Sequence, residues 1–401
     1  MQLHLLSLTY TIIPVFNVNQ YDGPWLGWHA GKMSYGRIYL KPQRILHNVY
    51  FYRPTNYQPH IRLHKYLIAA MMLLCSLTGS SQESNSAYDF LNVTSSAKAY
   101  GLGGVNISTI GAGIDMIEQN PALLGPELGM AASANYTRWL GSSNFAGTKF
   151  AHPINDRMAY AVGLQYYGYG DFEGYNEWGI STGKFNAQDV NFFGSLSHDF
   201  TDRLRGGVTV KVIYSGYEEY TAWAMAADLG INYYDDEHDL SLSAVVTNLG
   251  GQIKRFTDSY DRLPIDVRLG WSQRFGSFPV RWSVTAWNLT KWKLPFYDIN
   301  NDEGEHGELV LKDKFMTNLF RHLIFSADLC SSERFYISLG YNYKARTDMA
   351  TYDRNFFSGL YLGAGVKAGM FGVNVAFAQP HSGGSTLMLN ISTDLSKFLK
   401  Q

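Results

Sequence analysis

From Gly129 to Leu395, apolar and polar residues alternate with a period of two, the pattern of strands that carry one apolar face. Three stretches show it most plainly. Over 335–343, Phe335, Ile337, Leu339, Tyr341 and Tyr343 alternate with Tyr336, Ser338, Gly340 and Asn342. Over 371–378, Phe371, Val373, Val375 and Phe377 alternate with Gly372, Asn374, Ala376 and Ala378. Over 208–215, Val208, Val210, Val212 and Tyr214 alternate with Thr209, Lys211, Ile213 and Ser215. Such segments number about fourteen: 129–137, 143–152, 157–168, 188–198, 203–215, 222–234, 238–249, 263–275, 279–289, 321–329, 334–343, 357–366, 369–378 and 385–394. Most are close to the roughly 9 to 11 residues that cross a membrane at a tilt.

Alternation fits a soluble sandwich as well as a membrane barrel, because both bury one face of each strand. The other face separates them. It is mostly Gly, Ser, Thr, Asn and Gln rather than Lys, Glu, Asp and Arg, which suits a narrow lumen better than a surface in bulk water. The connections also alternate in length. Short turns fall at 153–156, 201–202, 235–237, 276–278, 330–333 and 367–368; longer loops fall at 169–187, 250–262, 290–320 and 344–356, with smaller ones at 138–142, 216–221 and 379–384. Short turns at one end and long loops at the other are the periplasmic and external ends of an outer-membrane barrel. The expected fold is therefore all-β, a transmembrane antiparallel barrel of about fourteen strands. Aromatic residues gather near the strand ends, at Tyr136 and Trp139, Tyr166, Tyr167 and Tyr169, Tyr233 and Tyr234, Trp287 and Trp292, and Tyr341 and Tyr343. An interfacial girdle explains them; plain strand propensity is the alternative.

Composition agrees with this picture. Aromatic residues form 15% of the 401-residue chain and charged residues only 17%, with 39 Gly against 12 Pro. The uninterrupted apolar run Tyr66–Leu77 follows Arg62, His64 and Lys65 and gives way to small and polar residues, so 62–82 reads as a secretory signal too short to span a bilayer as a helix. Leu74 stands before Cys75 where a lipoprotein signal has a small residue, so Cys75 belongs to the signal's core and leaves Cys330 without an intrachain partner. Residues 1–61 read as the product of a start assigned too far upstream, with a real extended leader as the alternative. From residue 83 onward, 26 basic residues face 33 acidic ones, a net charge of −7 that argues against nucleic acid as a partner.

Residues 83–128 differ from the rest. They are Gly-rich, with a helical-looking piece at 113–119 ending in Asn120-Pro121-Ala122, where the proline fixes a bend. A segment of this size has nowhere apolar to pack except the barrel, so it reads as an N-terminal hatch, with the barrel at 129–396.

Asp115 to Ala122, placed just ahead of the strands, resembles the hatch of the FadL-like outer-membrane proteins with its Asn-Pro-Ala turn. The stretches Ser95 to Val105, Ser197 to Gly207 and Asp261 to Trp271 resemble the PorQ family more closely, over roughly residues 86–396. That family belongs to the type IX secretion machinery of Bacteroidetes. The resemblance implies a non-enzymatic outer-membrane barrel in contact with outer-membrane lipid, serving as a docking platform. Its partners would be a PorZ-like surface protein and the PorU/PorV attachment complex. The external loops would carry the contact, with Tyr175, Trp178, Phe185, Arg255, Tyr260, Trp292, Tyr297, Arg346 and Tyr352 as candidates. The FadL-like features imply the alternative, a channel or transporter for small hydrophobic molecules. That reading expects an apolar pocket running from an outer loop to the hatch, and a polar, blocked lumen counts against it.

Motifs for chemistry are sparse. Tyr100-Gly101-Leu102-Gly103-Gly104 has neither the preceding strand nor the following helix of a phosphate loop. Asp298, Asn300, Asp302 and Glu305 resemble half of a calcium loop, but the glycine is displaced and Leu309 stands at the twelfth position, so weakly bound Ca²⁺ is the only cofactor considered. Asp199, Asp202, Arg203 and Arg205 cluster at a turn, where turn chemistry explains the acids and lipid phosphates suit the arginines. No catalytic triad stands out, and no enzyme activity is expected.

Overall fold

The computed structural model describes residues 86–396 apart from 140–141, 277, 299–309, 333, 349–355 and 382–383. The leader at 1–61 and the signal at 62–82 lie outside the described residues. Fourteen antiparallel strands close into a barrel: β1 (Ala131–Arg138), β2 (Asn144–Asn155), β3 (Met158–Tyr175), β4 (Ser181–Thr201), β5 (Leu204–Tyr217), β6 (Tyr220–Asp235), β7 (Leu240–Lys254), β8 (Asp266–Arg274), β9 (Val280–Ala286), β12 (Leu323–Ser332), β13 (Phe335–Asn342), β14 (Leu360–Ala368), β15 (Phe371–His381) and β16 (Gly384–Asp394). Between β9 and β12, β10 (Phe296–Asp298) and β11 (Val310–Lys312) form a separate two-stranded sheet. Consecutive wall strands pair, β9 pairs with β12, and β1 closes on β16 from Ala131↔Asp394 to Arg138↔Leu387.

The alternation in the sequence is the alternation in the wall. Leu339, Val375 and Leu387 face outward and are exposed, whereas Thr209, Lys211, Ser338 and Ala376 face inward and are buried. A belt of exposed Val, Leu, Ile and Phe on twelve of the fourteen strands would be untenable in water; it meets hydrocarbon. A girdle requires outward rings, and Tyr136 and Tyr166 are exposed. The expectation fails for Trp139, Tyr167 and Tyr169, which turn inward to pack on Phe145. Phe90 of the hatch supplies their partner, with its ring 5.1 Å from that of Tyr167.

Wall height varies around the barrel. Pairing of β3 with β4 continues to Tyr175↔Ser181, whereas β2 leaves β3 at Asn144↔Gly168 and β5 leaves β4 at Ala187↔Tyr217. The segment 169–187, expected as a loop, is thus a projecting two-stranded ribbon, with the Phe172 and Phe185 rings stacked across it at 5.5 Å. On the opposite side β9 has 7 residues and β13 has 8. Two short helices follow there, α2 (Phe315–Arg321) before β12 and α3 (Tyr343–Asp348) after β13.

The hatch threads the lumen. It starts at the long-loop end, where Ser86 donates to the Arg262 carbonyl and Tyr217 to the Ala87 carbonyl, and it runs into β1 at the short-turn end. Its one α-helix among the described residues, α1 (Ala97–Gly101), is capped by Ser96, whose Oγ accepts from the Ala99 amide. Over 113–119, where helix was expected, there is only a 3₁₀ turn at Ile114–Met116. Gly113, at φ 85°, interrupts the chain on one side and Pro121 bars extension on the other. Wall glycines make room for this thread. A Cβ on Gly340 would lie 2.2 Å from the Gly103 nitrogen, and one on Gly207 would lie 2.4 Å from the Pro121 carbonyl carbon.

Candidate functional site

The lumen is filled with paired charge. Lys98 of α1 places its Nζ 2.6 Å from both Asp328 carboxylate oxygens on β12 and 3.3 Å from the centre of the Tyr336 ring on β13. Lys149 of β2 lies 2.5 Å from Glu118 of the hatch and 4.0 Å from Asp115. Asp115 also accepts from Ser133, Asn374 and Asn390, which ties one hatch carboxylate to β1, β15 and β16. Glu118 accepts from Ser95 and Gln165. Nearer the mouth, Lys211 pairs with Asp228 at 2.7 Å, while Arg268 pairs with Asp266 and donates to Asn92 at 3.1 Å. Buried charge of this kind persists only when its partners are in place, so the network fixes where the hatch sits.

Asn120, Pro121 and Ala122 form the turn that the sequence singled out. Asn120 caps it by accepting from the Ala122 amide at 2.9 Å and donates back to the Ile107 carbonyl, so the hatch is cross-tied upon itself. The turn lies against Gly207 of β5 and Gly230 of β6, where a Cβ would come within 2.1 Å of Asn120 Oδ1. Below it, Glu127 receives Arg205 at 2.8 and 3.0 Å, and the same guanidinium reaches Asp199. Of the turn cluster named from sequence, Arg205 therefore pins the hatch. Arg203 instead bridges Asp235 and Glu237, and Arg157 meets Asp202.

Above the hatch lies an open aromatic hollow of about 410 Å³, lined by Asp89, Phe90, Val93, Trp139, Ser143, Phe145 and Tyr169. Phe90 and Val93 belong to the hatch, and Trp139 to the loop after β1, so an apolar surface does run from an outer loop to the hatch. Asp89 is solvent-accessible at its lip. The protein crowded around its carboxyl pushes its pKa above the usual carboxylate value, against the opposing pull of Lys291 and Lys344. Deeper in the lumen a polar cavity of about 30 Å³, room for about one water, lies among Glu118, Gln165, Asn191 and Lys211. The hollow ends on the hatch, and the lumen beneath it is closely filled, by the charged pairs and by apolar packing such as Ile114, Ile117 and Leu124 with Phe193.

No protein-family model matches the chain, and no characterised protein matches it by sequence. Solved structures do. The toluene transporter TbuX of Ralstonia pickettii aligns over 76% of this chain and 98% of its own, with 13% identity and a TM-score of 0.48. The toluene transporter TodX of Pseudomonas putida aligns over 75% and 96%, with 11% identity and a TM-score of 0.48. A FadL homologue of Pseudomonas aeruginosa aligns over 75% and 98%, with 13% identity and a TM-score of 0.46. The strand order and the outward apolar belt of this chain establish the barrel on their own.

The candidate loop residues come from separate loops. Tyr175 and Trp178 are exposed on the projecting ribbon, and Phe185 is half-buried at its base under Phe172. Arg255 lies over the Tyr260 ring in the loop after β7. Trp292 and Tyr297 are exposed between β9 and β11, while Arg346 is turned in to donate to the Ser358 carbonyl. Tyr352 lies outside the described residues, as do Asn300, Asp302 and Glu305 of the calcium candidate; Asp298 is buried on β10. Among the described residues, three potential metal ligands converge at Asp235, Glu237 and His238 in the β6–β7 turn, where Arg203 neutralises both acids. Sequence reasoning missed Lys98, Lys149 and Asp328. Their one signal was a charge at an inward position or in a Gly-rich thread, which is uncommon unless a partner is waiting.

Proposed function

We propose that this chain is an outer-membrane barrel, without a catalytic step, whose mouth binds a small apolar molecule above a closed hatch. The hollow of about 410 Å³ between Phe90, Val93, Trp139, Phe145 and Tyr169 carries this reading. Its volume falls in the range of small-molecule sites, and aromatic walls with one acid at the lip favour an apolar guest. Passage beyond the hollow requires the hatch to move, since charged pairs and close glycine contacts hold it. Toluene, named for two of the structures above, is the first probe. Calorimetric titration into the detergent-solubilised barrel should give saturable binding, and Val93→Trp, which fills the hollow, should remove it. Equal heats from both proteins would overturn the reading.

A second reading, docking in type IX secretion, is favoured by one observation: the ribbon 169–187 projects past the wall and exposes Tyr175 and Trp178. By the resemblance to the PorQ family, a PorZ-like protein and the PorU/PorV complex would be the partners. A tagged barrel shortened by this ribbon should lose them in a pull-down from outer membranes; their undiminished recovery would remove this reading. The calcium proposal at 298–305 is tested by titrating Ca²⁺ into the same protein, where absence of heat ends it.

A further inference from the structure

The low side of the wall poses a physical problem. Seven residues of β9 rise about 24 Å along the strand. At a tilt of 35–45° that gives roughly 18 Å of height against an apolar band of about 25 Å. The shortfall is at the outer end, because β9 starts directly after the short turn and stops at the pair Ala286↔Leu323. The α2 helix sits at that stop. Asn318 and Arg321 point inward, with Arg321 2.6 Å from Asp348, while Phe315, Met316 and Phe320 are exposed on the other face.

We propose that α2 and Trp292 form an interfacial foot seated in the outer leaflet, occupied by membrane lipid with an acidic phosphate headgroup. Continuity with the lipid-facing belt names the occupant. The Phe320 ring lies 6.1 Å from that of Tyr343, the half-buried residue that follows β13, and outward-facing Phe325 follows on β12. The foot therefore extends the belt upward. Trp292 and Phe315 lie 5.6 Å apart at its upper edge, the level where aromatic rings favour headgroups. Exposed Lys291 and Lys293 flank Trp292, and ammonium groups at that depth suit phosphate. Two acids lie nearby: Asp313, which is exposed and accepts from Asn318, and Asp89 at the lip of the hollow, which is within electrostatic reach of Lys291.

The test uses the full barrel in phosphatidylcholine vesicles with or without phosphatidylglycerol, with Cys75 and Cys330 replaced by serine. A spin label is attached at Met316→Cys and compared with labels at Phe325→Cys on the belt and Trp178→Cys on the ribbon. The label at 316 should match that at 325 in being reached by oxygen rather than by an aqueous nickel chelate. Behaviour like position 178, or protection from both reagents by a protein partner or second copy, overturns the foot. Native mass spectrometry reads the headgroup: the Lys291→Glu/Lys293→Glu variant should retain at most half as much phosphatidylglycerol as its parent. Undiminished retention overturns the phosphate assignment.

Discussion

Removal of the Lys98 ammonium tests the claim that charge pairing seats the hatch. Lys98→Met keeps the unbranched stem, one atom shorter, but leaves Asp328 buried, with Ser338 donating to it at 3.0 Å. Breaking a buried pair from one side costs about 3–5 kcal/mol. At about 1.4 kcal/mol per factor of ten, hatch release should become roughly 10² to 10⁴ times more frequent. The double variant Lys98→Met/Asp328→Leu removes both charges and should recover most of this loss. Hydrogen exchange over 96–104 reads local release, and planar-bilayer conductance reads whether release opens the lumen. The wall strands serve as an internal control, since they should keep their protection. If Lys98→Met exchanges within twofold of the parent, or if the double variant is as damaged as the single, the pair is not what holds α1.

Gly340→Ala should cost about 1–3 kcal/mol by pressing on the Gly103 and Leu102 backbone, visible as faster exchange in the hatch. Val375→Arg, on the lipid face, should destabilise the folded barrel by about 2–4 kcal/mol in a denaturant titration from vesicles, the effect of a cation near the bilayer midplane. Apolar binding in the hollow should tighten as pH falls through the raised Asp89 pKa, because burial favours the neutral carboxyl and its protonation removes a charge from the lip. Asp89→Asn should abolish this dependence; a pH profile that the substitution leaves unchanged would place the titrating group elsewhere.

The wall was legible because a membrane barrel imposes one rule on every strand, and residues such as Val373 and Ala376 obey it locally. Segment 169–187 was misread because its Gly170, Gly174, Gly179 and Gly183 look like loop punctuation, while cross-strand pairing with stacked Phe172 and Phe185 makes it a ribbon. Trp139, Tyr167 and Tyr169 were placed in a girdle because their partner, Phe90, is some 50 to 80 residues away in a segment without periodicity. The same distance hid the pairs Lys98–Asp328 and Lys149–Glu118, since side-chain partners from different strands leave no common spacing. Asn120-Pro121-Ala122 was visible because its turn chemistry is local.

The threaded hatch constrains how the protein can be opened. Its last residues run directly into β1, and β1 completes the seam with β16, so the chain segment that fills the cylinder is joined to the edge that closes it. While that seam stays zipped, a thread carrying Lys98 among close glycine contacts leaves the cylinder only as those ties break. Displacing it pulls on β1 itself, so plug and stave are mechanically joined.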